Sequence, residues 1–213
     1  MGWIAGTVGR TGIVVLLVAL AGCGSEPTNT STGTTSPPPA SPTQTATVTP
    51  TESPSESATC ETFGSTADQS SADPLALSSL TGASMRVGRH DCFERFVFEM
   101  TGTGENPGWR VGYADPMGAQ GSGDPVELAG DADLEVIVGV WTVSDFEGRP
   151  DEWPPFQGPD DLVTTGFTAI KEARNLYAFE GMTQIGLGLD KKRPFRVTWE
   201  QGPPRLVVDV YTG

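Results

Sequence analysis

Apolar residues at every second position recur in six stretches of this chain, while no stretch after Thr59 keeps a helical stripe for three turns. The stripes are Phe96, Phe98, Met100; Trp109, Val111, Tyr113; and Leu134, Val136, Val138, Val140. Ile185, Leu187, Leu189; Phe195, Val197, Trp199; and Leu206, Val208, Val210 complete them. A side-chain period of two belongs to strands with one face turned to a core. Gly- and Pro-rich connections separate the stripes at Gly102 to Gly108, Pro116 to Pro125, Gly148 to Asp161, Asp190 to Pro194 and Gly202 to Pro204. A weaker strand is predicted over Ile170 to Phe179, and one short helical turn over Leu75 to Leu80. Many short strands joined by such turns give an all-β fold, a β-sandwich of short antiparallel strands or a barrel. The last stripe ends three residues before the sequence does. In a sheet built from non-local pairs, that strand is expected in the middle, hydrogen-bonded on both edges. Pro203 and Pro204 would stop its pairing at the start, with Arg205 and Asp209 on the face away from the core.

The front of the chain is a different polymer. Ile13 to Ala21 is an unbroken apolar run of nine residues, the core of a signal peptide spanning 1–22 and too short to cross a bilayer as an ordinary helix. Leu20-Ala21-Gly22-Cys23 follows it and looks like a bacterial lipobox, which makes Cys23 the lipidation site. Two acyl chains there would anchor the protein stably to the outer face of the cell membrane. In residues 24–59, 25 of 36 are Ser, Thr or Pro. Such a segment buries too little surface to offset its ordering entropy, so 23–59 is expected to be a disordered tether.

With 27 acids against 13 Lys and Arg, the formal charge is −14; removing Arg10 with the signal peptide makes it −15. Glu26, Glu52 and Glu56 lie in the tether, which leaves −12 for 60–213. That charge repels nucleic acid and wall polyphosphates, so no nucleic-acid partner is expected. With Cys23 committed to lipid, Cys60 and Cys92 form an even pair, read as a disulfide in an exported domain. It would staple an extension, 60–83, onto a domain of 84–213.

The segments RVGRHDCFERFVFEM, GWRVGYAD, PVELAGDADLEVIV, GLGLDKKRPFRV and PPRLVVDV occur in that order. Together they resemble the AMIN-like domain of envelope lipoproteins from Gram-positive bacteria, over about Ser84 to Gly213. The resemblance implies a β-sandwich and a non-catalytic module of the cell envelope. Its expected partner is peptidoglycan or another wall glycan; the alternative is an envelope protein that the module positions. A monomer is expected.

The chain is poor in catalytic and metal-binding patterns. His90, the only histidine, stands beside Asp91, but no GxSxG segment supplies a nucleophile, and Gly121-Ser122-Gly123 reads as a loop. His90 and Asp91 are instead expected to cap a strand near Arg95. Asp131, Asp133 and Glu135 alternate like the start of a calcium loop, yet Val136 and Thr142 occupy positions that need glycine and glutamate. No catalytic residue, metal site or cofactor is therefore expected. Aromatics are the remaining candidates, because flat rings can hold a neutral sugar without matching charge. Trp109 and Trp199 fall on apolar stripes and suit a core. Trp141 breaks phase with its stripe, and Trp153 and Phe156 sit in the polar, Pro-rich GRPDEWPPFQGPDD. These three are the candidate ligand contacts; their placement suits loop packing equally well. The charged pairs Arg95/Glu99 and Arg205/Asp209 are expected to be cross-strand ion pairs on a solvated face.

Overall fold

A computed structural model describes residues 59–144 and 151–213, all within one compact unit, Pro54–Gly213. The expected signal peptide, Cys23 and nearly all of the tether lie outside the described residues.

The described chain is all-β. Its strands are β1 (Gln69–Ser70), β2 (Thr81–Arg89), β3 (Phe93–Thr101), β4 (Trp109–Ala114), β5 (Ala132–Val138), β6 (Asp161–Val163), β7 (Ile170–Phe179), β8 (Met182–Leu189), β9 (Phe195–Glu200) and β10 (Arg205–Tyr211). They form two antiparallel sheets, ordered β1-β4-β5-β8-β7-β6 and β2-β3-β10-β9. The period-two stripes supply the inner faces. Phe96, Phe98, Leu206, Val208 and Val210 of the four-stranded sheet meet Leu134, Val136, Ile185, Leu187 and Leu189 of the other, all fully buried. As expected, β10 is central, paired with β3 on one edge and β9 on the other. The predicted turn over Leu75 to Leu80 is not a helix; Ser78 and Ser79 instead donate their hydroxyls to the carbonyls of Glu105 and Thr103. Three strands carry no clean stripe in the sequence: β1, β2 and β6 are edge strands, and two of them are only two or three residues long.

The outer face of the four-stranded sheet corrects one expectation. Arg86 and Glu99 form a solvated pair at 3.1 Å, and Arg205 pairs with Glu200 across the β9–β10 turn. Asp209 is buried rather than solvated. Arg95 holds it with a bidentate pair of bonds, 2.6 and 2.9 Å, and Arg196 adds a third at 2.9 Å. Two guanidiniums satisfy its lone pairs, so burial does not isolate the charge.

The segment ahead of β2 runs the length of the sandwich. Cys60 is disulfide-bonded to Cys92, with a Cα–Cα distance of 5.4 Å. Phe63 stands edge-on to Phe93 and Tyr211, and the Arg196 guanidinium lies 4.2 Å over its ring. Ser65 exchanges backbone bonds with Phe195. The Gln69 side chain caps two backbone groups on the exposed edge of β9, donating to Phe195 O and accepting from Val197 N–H. β1 then extends the other sheet. Further on, the chain crosses so close to Gly139 that a Cβ there would lie 2.0 Å from the Ala76 carbonyl oxygen. Closing a loop of 32 residues, the disulfide is worth roughly 3–4 kcal/mol in the chain-entropy model. Reduction is therefore expected to lower the urea midpoint clearly, and native Cys60 and Cys92 to resist alkylation. Rapid labelling of both thiols in the oxidised protein would contradict the staple.

Candidate functional site

The sandwich has two unlike ends. One carries Cys60, the β2–β3 turn and the end of β10: Tyr211 donates its hydroxyl to Cys60 O at 3.1 Å, and Thr212 N–H bonds to Cys92 O. His90 lies in that turn, stacked on Phe93 at 4.4 Å. Gly121-Ser122-Gly123 lies at the opposite end, where Gly121 approaches the Phe179 ring. The sandwich thus separates His90 from Ser122.

Beside the disulfide end is a cleft of about 420 Å³ whose walls include Asp115, Glu127, Asp131, Asp133 and Lys192. Burial, then the charges of Asp115 and Glu172, push the Asp133 carboxyl above the usual carboxylate range. Glu135 does not join it, because Arg110 pairs with it at 3.3 Å and Gln184 donates to it at 2.7 Å. Among the described residues, no three His, Cys, Asp or Glu side chains gather as metal ligands. Nearby, Arg193 donates twice to Asp190, at 2.7 and 2.8 Å, and twice to the carbonyls of Tyr211 and Thr212. The bonds from Arg193 hold the Asp190 carboxyl below its ordinary value. The stability from that pair is fully present above the ordinary carboxylate range and is lost as pH falls below it, through the lowered value of Asp190.

The opposite end lies roughly 20 Å away, the length of β10 at about 3.3 Å per residue. Here the β7–β8 hairpin meets residues 139–142 and the segment leading into β2. Trp141 and Trp153 stack in parallel, with centroids 6.1 Å apart and planes 9° apart, and both are 42% exposed. Gly181 brings the hairpin tip against Leu77 and the Trp141 indole nitrogen. Leu75, Leu77 and Phe179 are more exposed still, and with Met182 and Gln120 they line a groove of about 360 Å³. Soluble proteins seldom leave large side chains grouped this way without use for them. The hairpin backbone is also unusual. Tyr177 and Glu180 take φ of 63° and 51°, a left-handed conformation that costs non-glycine residues energy and concentrates at functional positions.

Residues matched to the AMIN-like domain run from 80 to 212. The chain belongs to the AMIN-like family. The match begins at the start of β2 and ends just past β10, so it spans nine of the ten strands. Cys60 and β1 precede it; Cys92 lies inside it. No curated protein and no solved structure matches the chain. Membership suggests an envelope module associated with peptidoglycan.

Of the sequence candidates, this AMIN-like fold brings Trp141 and Trp153 together. Phe156 differs from them: its ring is half-buried against the core and its N–H bonds to Val143 O, so packing accounts for much of its placement. Trp109 and Trp199 pack on the core as their stripes imply. Sequence reasoning passed over Leu75, Leu77, Phe179 and Met182. Only the "PLAL" segment signalled the first two, and it reads as an ordinary short turn.

Proposed function

We propose that this AMIN-like protein is a non-catalytic module, held on the outer face of the cell membrane by lipid at Cys23, that binds peptidoglycan or another wall glycan through Trp141 and Trp153. The parallel, exposed indole stack at the end opposite Cys60 carries this reading. A tether entering at Cys60 would leave that end pointing away from the membrane. Indole faces take the C–H faces of sugars by dispersion and desolvation, which need no positive charge in a domain that has little to spare.

The Trp141→Ala/Trp153→Ala double variant is expected to co-sediment with purified peptidoglycan about tenfold more weakly than wild type. Both rings are already partly in water, so the melting temperature should fall by only about 3 °C. Undiminished pelleting would remove the glycan reading. Separately, Cys23→Ser is expected to move the protein from the membrane to the soluble fraction; retention equal to wild type would remove the lipid anchor.

A second reading, a module that positions an envelope protein, is favoured by the aliphatic surface that continues from Trp141 through Leu77 to Phe179.

A further inference from the structure

Beyond glycan binding, we infer that the groove between the β7–β8 hairpin and the segment leading into β2 docks a polypeptide partner, one presenting apolar side chains flanked by Lys or Arg. The floor and walls come from Leu75, Leu77, Phe179 and Met182, with the Gln120 side chain and Glu180 at the margin. A volume of about 360 Å³ accommodates two or three aliphatic side chains but no folded core. Leu75, Leu77 and Phe179 are 71%, 60% and 47% exposed, so this surface is unusually costly to leave in water.

Charge selects the occupant. Segments 73–80, 102–108, 118–124, 139–144, 151–156 and 177–183 meet at this end, linked by the contacts of Gly139 with Ala76, Gly181 with Leu77, Gly121 with Phe179 and Ser78 with Glu105. They carry Asp73, Glu105, Asp124, Asp151, Glu152 and Glu180, and no Lys or Arg; the β9–β10 turn, joined to this end through Gln201 and Asn106, adds Arg205, which is paired with Glu200. An apolar groove in a net-acidic surround repels anionic lipid headgroups and acidic peptides and attracts a cationic amphipathic segment. Cys60 itself lies at the other end of the sandwich, bonded to Cys92 and beside Tyr211.

The test uses the full chain and two synthetic 14-residue peptides of one pattern, one of Leu and Lys, the other of Leu and Glu, followed by calorimetry. The Leu/Lys peptide should bind saturably, one to one, and at least about tenfold tighter than the Leu/Glu peptide. Leu77→Ser/Phe179→Ser should weaken it about tenfold, and Glu180→Lys should weaken it and flatten its salt dependence. Asp131→Asn/Asp133→Asn, which removes the same sign of charge at the other end, should leave it as in wild type. Equal loss from the Asp131/Asp133 variant, equal binding of the two peptides, or full binding by Leu77→Ser/Phe179→Ser would each overturn the inference. Peptidoglycan pelleting by Leu77→Ser/Phe179→Ser should be unchanged, so failure here and failure of the glycan reading are told apart.

Discussion

A chain ending at Arg205 is expected not to fold. Its loss would remove β10, the strand between β3 and β9, and leave both neighbours with open edges in the middle of a sheet. Leu206, Val207, Val208 and Val210 are all nearly or fully buried. At about 1.5–3 kcal/mol per buried aliphatic side chain, the four together roughly equal the whole stability of an ordinary domain. Asp209 would go too, stranding Arg95 and Arg196. Far-ultraviolet dichroism and a thermal scan check this: the truncated chain should show no cooperative melt. A sharp transition close to that of the full chain would contradict a central role for β10.

Replacing Glu94 with alanine should be the most damaging single substitution. Glu94 lies on β3, only 2% exposed, and its carboxylate accepts the backbone N–H groups of Thr168, Ala169 and Ile170. It therefore fastens the start of β7, in one sheet, to β3, in the other. Alanine would leave three donors without a partner and open a void beneath them. Lost charge-assisted bonds and unsatisfied groups place the cost at about 3–5 kcal/mol. Urea unfolding measures it directly, and a cost under about 1 kcal/mol would show that the 168–170 segment has another anchor.

The contrast between β10 and Glu94 shows where the sequence is legible. A strand with one buried face leaves a period-two trace, so the six stripes and the strand from Ile170 to Phe179 can be read from residue order alone. Edge strands β1 and β6 are too short for a period, and β2, "TGASMRVGR", is interrupted by small residues and a bulge between Gly82 and Ser84. Glu94 reads as one more surface acid, because its partners are backbone groups more than 70 residues away. The candidate site divides similarly. Trp141 announced itself by falling out of phase, and Trp153 by standing in a polar loop, but their stacking depends on loop geometry. Phe156 shows the limit of composition: a Pro-rich, acidic surround did not keep that ring off the core. Leu75 and Leu77 look like ordinary apolar residues in the sequence, and only the fold leaves them at the surface beside Phe179.

Co-sedimentation of the full chain with purified peptidoglycan, at low and at high salt, tests the proposed function most directly. A domain carrying −12 that holds glycan by stacking and hydrogen bonds has few counterions to release. The protein should therefore pellet with the glycan at both salt concentrations, its affinity changing by less than about threefold between them. No pelleting at either salt would contradict glycan binding through Trp141 and Trp153.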